Sequence, residues 1–217
     1  MALTSRTRPR RARIGRGLLV VLTALCAALP AHAASLTRRA DETAESFAKR
    51  NGPPQSTLAH PVVETRAWGG AAPAIIAFYE RETEQSGENV REVVGYLYMP
   101  TGPRAYRRIL VGTVDTEGGD PTIEAVFVAN AGAGRQPKLI VICSWPQNHY
   151  DVHGTLYATF VYGAPRPGRR AARLTLDEGL SKRLDGGCDC EWRDGTVRVA
   201  KYKTADDVRA ALRTMAR

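Results

Sequence analysis

The densest group of chemistry-bearing side chains is His149-Tyr150-Asp151-Val152-His153. Two imidazoles and a carboxylate could hold a metal ion or move protons. In an extended strand His149 and His153 would stand roughly 13 Å apart, too far for one ion. Only a tight turn brings them together, and Gln147-Asn148 before and Gly154 after make a turn plausible. The same cluster reads more simply as a polar hairpin tip that meets a partner. On that reading the contact residues are Trp145, Asn148, His149, Tyr150, Asp151 and His153, with no catalytic and no metal-ligating residue among them.

Asp115, Glu117 and Asp120 gather carboxylates around Gly118-Gly119. Calcium favours oxygen-rich flexible turns, but the spaced acidic positions and terminal Glu of a calcium loop are absent, so a solvated loop is the expectation. Gly132-Ala133-Gly134-Arg135 is followed by strand-like sequence, not by the helix that a dinucleotide fingerprint requires. Cys143 with His149 would make a thiol–imidazole pair, yet Cys143 lies in the apolar run Leu139–Cys143, where a thiol is inert. Ser144 lacks the flanking glycines of a nucleophile elbow. No cofactor motif is present, and no cofactor is expected.

The elements that must position these groups follow from periodicity. The 217 residues carry a net charge of +9, but residues 1–33 contain six arginines and no Asp or Glu. The remaining 25 basic and 22 acidic residues leave +3, too little for a nucleic-acid surface. Arginines, an apolar run from Leu18 to Leu29 and Ala31-His32-Ala33 form the three parts of a secretory signal, with cleavage expected between Ala33 and Ala34. Arg10-Arg11 lacks the apolar residue expected after a twin-arginine pair. Lipidation at Cys26 is disfavoured by the bulky Leu25. No later stretch approaches the ~20 apolar residues of a spanning helix. The expected location is the periplasm or the exterior.

Export permits disulfides, and three cysteines remain: Cys143, Cys188 and Cys190. A Cys143 bridge to Cys188 or Cys190 is the favoured pairing, with one thiol left over or linking chains.

Spacings of three and four place an Ala-rich helix over 35–50, ended by Asn51-Gly52-Pro53-Pro54, so 34–57 reads as a loosely packed arm or linker. From about residue 61 the period becomes two. Strands are expected over 62–66, 74–80, 93–99, 108–115, 123–129, 138–144, 155–162, 190–193 and 196–202, with Asp194-Gly195 as a two-residue hairpin turn between Arg193 and Thr196. A final helix is capped by Thr204 and buries Val208, Ala211, Leu212 and Met215. The fold class is therefore mainly β (α+β). It is an antiparallel meander or partly closed sheet of about eight or nine strands over 58–217, with an N-terminal helical arm and a C-terminal amphipathic helix. Arg166, Arg169, Arg170 and Arg173 read as a solvated basic loop.

Gly118-Gly119-Asp120-Pro121, Ala125–Asn130, Lys138–Pro146, His149-Tyr150-Asp151 and Gly154–Tyr157 together resemble single modules of the exported bacterial VCBS/FG-GAP-like type, over roughly residues 90–163. The resemblance implies a β-rich module, and some members inhibit lysozyme-like toxins or protect their producer. The calcium loop of such modules is not carried over, since Ala131, Gly132, Ala133 and Gly134 occupy its acidic positions. The functional expectation is a non-enzymatic exported binding protein with a protein partner in the cell envelope, its specific form being an inhibitor or immunity factor for a secreted cell-wall-degrading enzyme. The alternatives are a secreted metal-dependent hydrolase using His149, Asp151 and His153, and a structural envelope component linked through Cys188 or Cys190.

Overall fold

The computed structural model describes residues 35–215 apart from 86, 133, 135 and 166–170. The expected signal with Cys26, and Arg166, Arg169 and Arg170 of the basic loop, lie outside the described residues. The strands are β1 (Leu36–Thr37), β2 (Thr57–Leu58), β3 (Val63–Thr65), β4 (Ala74–Gln85), β5 (Glu88–Pro100), β6 (Ala105–Val114), β7 (Thr122–Ala131), β8 (Gln136–His149), β9 (Val152–Tyr162), β10 (Gly187–Trp192) and β11 (Val197–Arg198). The helices are α1 (Ala44–Asn51), α2 (Glu178–Arg183) and α3 (Ala205–Met215). The chain is mainly antiparallel β, and all nine strands read from the alternation are present, together with β1 and β2.

The strands form two sheets. The first runs β1-β6-β5-β4-β2, with β3 also on β4; the second runs β11-β10-β9-β8-β7. β4-β5-β6 and β7-β8-β9 are meanders joined by short connections, whereas β1 is reached across α1 and β10 follows β9 only after a long stretch that includes α2. The chain passes from one sheet to the other in the loop after β6, at Asp115–Pro121, where two glycines and a proline interrupt pairing.

Burial resolves this into four layers. Ile76, Phe78, Leu97 and Ile109 of the first sheet pack against Ile123, Leu139, Val141 and Cys143 of the second. The alternate residues of the first sheet, Ile75, Ala77, Tyr79 and Tyr98, pack under α1. The alternate residues of the second, Ile140, Ile142 and Val161, pack under Leu180 and Leu184 of the α2 segment and Val208 and Leu212 of α3. Central strands covered on both faces must be apolar at successive positions, as in Leu139–Cys143.

The segment expected as a loose arm is instead part of the fold. Thr43 caps α1 by accepting from the Ser46 amide. Phe47 is 0% exposed, and its ring meets Tyr98 edge-on at 5.3 Å and Tyr106 at 5.1 Å. The Tyr79 hydroxyl donates to the Ala48 carbonyl and the Tyr98 hydroxyl to the Asn51 carbonyl, satisfying the end of the helix. The helix is also shorter than expected, because Leu36 and Thr37 pair with β6.

Between β9 and α2 the chain straps the sheets together. Leu110 of β6 exchanges backbone hydrogen bonds with Ala172 and Leu174, and Gly163 beyond β9 donates to the Thr175 carbonyl. The bridge ties the edge of the first sheet to the end of β9 in the second.

Candidate binding face at the hairpin tips

The β8–β9 hairpin turns on two residues, Tyr150 and Asp151, with His149 opposite Val152 and Asn148 opposite His153. Directly paired residues share a face and successive residues alternate. His149 and His153 therefore point to opposite faces of the sheet. The tight turn does form, yet its register separates the two imidazoles. Among the described residues no group of three His, Cys, Asp or Glu is close enough to hold a metal ion.

His149 lies on the inter-sheet face, in line with Gln147, Trp145 and Cys143. Gln147 donates to the Glu117 carbonyl at 2.6 Å. A Cβ added at Gly118, whose φ is +79°, would meet Gln147 Oε1 at 2.7 Å and His149 Nε2 at 2.8 Å. The Asp115–Pro121 loop is thus held against the β8–β9 tip, and glycine is what allows the approach.

Trp145 belongs to the core rather than to an exposed contact surface. It is buried, meets Phe160 edge-on, and donates from Nε1 to the Asp115 carbonyl at 2.8 Å. A tryptophan on the inward face of a central strand is taken by the core, and here its polar edge anchors the loop that carries the carboxylates. Asn148, His149, Tyr150, Asp151 and His153 are all exposed.

A third loop joins them. The Arg193 amide donates to the Asp151 carbonyl at 3.1 Å, and the Arg193 guanidinium lies over the Tyr150 ring, 4.2 Å from its centroid. Tyr150 is 79% exposed, with its ring oriented by this stack. Asp194 accepts from the Thr196 amide at 2.8 Å, which shapes the turn and holds its carboxyl below the ordinary range. Arg198 lies over Trp192, and Val197 and Val199 are exposed beside it.

Arg193, Trp192 and Val197 were not singled out from the sequence. The Asp194-Gly195 turn located their hairpin, but nothing local shows that β10 returns to pair with β9 after an intervening stretch that includes α2. That pairing is what brings Arg193 to Tyr150.

The three loops carry Asp115, Glu117, Asp120, Asp151 and Asp194 against Arg193 alone, and all of these residues are exposed. Arg91 of β5 reaches Asp120 at 3.6 Å. The three linked loops thus carry five exposed carboxylates, one of them paired with Arg91.

The cysteines pair otherwise than expected. Cys188 and Cys190, two residues apart on one face of β10, form the disulfide, and Cys143 is free and buried. Burial pushes the Cys143 thiol far above its ordinary range, with the Glu124 carboxylate adding to the effect. Cys143 is also six residues from His149 along one strand, about 20 Å, so no thiol–imidazole pair forms. Ser144 turns to the opposite face and donates to the Glu124 carboxylate.

A separate groove of about 500 Å³ on the outer face of the first sheet is lined by Tyr96, Tyr106, Arg107, Arg108 and Leu110. Arg108 stacks on Tyr96 and donates to the Asn51 carbonyl. The described lining contains no carboxylate, imidazole or thiol. Among the described residues no helix is long and apolar enough to cross a membrane.

No family model, no curated protein and no solved structure matches the chain.

Proposed function

We propose that this protein is an exported, non-enzymatic binding protein whose hairpin tips engage a basic protein of the cell envelope. The reading rests on one observation: the β8–β9 tip carries the exposed Tyr150–Arg193 stack, and two further loops bearing exposed carboxylates are hydrogen-bonded to that tip. Tyrosine and arginine are favoured where a few residues carry binding energy, and a prearranged ring loses little freedom on contact. An excess of carboxylates attracts a cationic surface and speeds encounter. The net charge of the chain conceals this local excess of carboxylates.

Cell-wall-degrading enzymes of the lysozyme type are commonly cationic. An inhibitor or immunity factor for such an enzyme is the specific form of the proposal, in line with the sequence resemblance. A metal-dependent hydrolase built on His149, Asp151 and His153 has no support from a register that turns the imidazoles apart. A component linked between chains through Cys188 or Cys190 has none from sulfurs that pair within one strand.

A photo-crosslinking residue at position 150, compared with one at Lys49 on α1, tests the reading in the producing cell. The expected result is an adduct specific to position 150, containing a basic exported protein. It should be lost when Asp115, Glu117, Asp120 and Asp151 are changed to their amides. Identical adducts from both positions, or adducts indifferent to the amide changes, would refute the proposal.

A further inference from the structure

We propose that Cys188 and Cys190 are a redox-active pair that takes two electrons from a dithiol of another exported protein by thiol–disulfide exchange. Four observations carry the inference, and none depends on the hairpin-tip reading.

The bridge spans a single residue, Asp189. A cross-link restricts the unfolded chain in proportion to the logarithm of the loop it closes, so this one does little for the fold. Three packed interfaces hold the sheets and helices together without it. A chemical role explains the pair better than a structural one.

Access is asymmetric. Cys190 is 4% exposed, whereas Cys188 is only half-buried. The short edge strand β11 pairs with Cys190 and Glu191 and stops there. Cys188 thus has β9 on one side, and on the other it lies between the end of β11 and the Lys201 amide that donates to the Gly186 carbonyl.

The strand opposite makes room for the sulfur. Gly154 stands across from Cys190, and a Cβ there would meet Cys190 Sγ at 3.0 Å and the Asp189 carbonyl at 2.2 Å. Gly186 and Gly187 precede the pair, and Gly187 has a φ of +71° with nothing near its absent side chain. Gly154 and Gly186 thus let neighbouring chain pack closely at both ends of the pair, and the positive φ of Gly187 is one that glycine adopts without strain.

Cys143, the other cysteine of the described residues, is sealed in the core and stands outside the exchange.

The step balances as follows. A thiolate of the dithiol attacks Sγ of Cys188, the Cys188–Cys190 bond breaks, and Cys190 leaves as a thiolate. The second thiolate of the dithiol attacks its own sulfur in the mixed disulfide and releases Cys188. The dithiol becomes a disulfide, having given up two electrons and two protons. Cys188 and Cys190 become thiols by taking them up.

The purified protein is equilibrated in glutathione buffers of varied reduced-to-oxidised ratio, quenched with acid, alkylated and weighed intact. The expected result is a reversible change between none and two alkylations within the glutathione range, with circular dichroism unchanged and Cys143 unmodified. In parallel, Cys190→Ser and Cys188→Ser each react with a small aromatic disulfide, and Cys190→Ser should react at least about tenfold faster. A bond that stays closed in every buffer until denaturant is added, or that opens only with loss of the fold, would overturn the proposal. Equal rates for the two variants would overturn the assignment of Cys188 as the entry sulfur.

Discussion

Arg193 lies 4.2 Å above the ring of Tyr150, joining the tips of two hairpins that the chain makes forty residues apart. An exposed cation–π pair contributes about 0.5–1 kcal/mol to folding at most. Its larger effect is to bias the orientation of an aromatic ring that stands in solvent. Tyr150→Ala and Arg193→Ala should therefore leave the thermal midpoint within a degree or two. Each should weaken partner binding about tenfold or more, measured by titration calorimetry once the crosslinked protein is purified. Trp145→Ala should behave oppositely. It empties a core position and frees the Asp115 carbonyl, so its first effect is a lower unfolding midpoint. Intact affinity in Tyr150→Ala would remove the stack from the interface.

Phe47 decides whether the N-terminal segment is an arm or a layer. Its ring is sealed between α1 and Tyr98 and Tyr106 of the first sheet. Phe47→Ala should cost about 3–5 kcal/mol, read from urea unfolding, because a buried aromatic leaves a large cavity. A loosely attached arm would give a change within ±0.5 kcal/mol, as exposed substitutions do.

The strands were legible because two-residue alternation survives wherever turn residues punctuate it; the hairpin at Asp194-Gly195 formed too, but with Trp192 facing Thr196, so its loop takes in Arg193 and is one residue longer than expected. The division into two sheets was not legible. Ile75-Ile76-Ala77-Phe78-Tyr79 is apolar on both faces, which shows a covered central strand but not what covers each face. The short helix α2 lacks the length to display a period, and its cap, Asp177 accepting from the Leu180 amide, is one polar residue in a loop-like stretch. Cysteine pairing is not encoded in spacing alone. Two cysteines at alternate positions of a strand do share a face, and that favours the local bond over one to Cys143. The candidate face was half legible. The turn stands at the His149–His153 cluster and its residues are exposed apart from Val152, whereas Arg193 arrived through long-range pairing and Trp145 was claimed by the core.

Acid stability should report on the anchoring of α1. Glu42 accepts from Arg50 Nε at 2.8 Å and Nη2 at 2.7 Å, and from the Arg39 amide at 2.9 Å. The Arg50 guanidinium holds its carboxyl down at about 2, against an ordinary value of 4.5. A carboxyl depressed in the folded state binds its proton more readily when unfolded. Its stabilisation is complete above the unfolded value and is lost as the pH falls through the folded one. The unfolding midpoint should therefore decline from about pH 4.5 toward pH 2. In Glu42→Gln that decline should be shallower, and the two proteins, furthest apart above pH 5, should converge near pH 2. Parallel pH profiles in thermal unfolding would show that the Glu42–Arg50 pair, which ties the last turn of α1 to the segment before it, adds nothing to the stability of the fold.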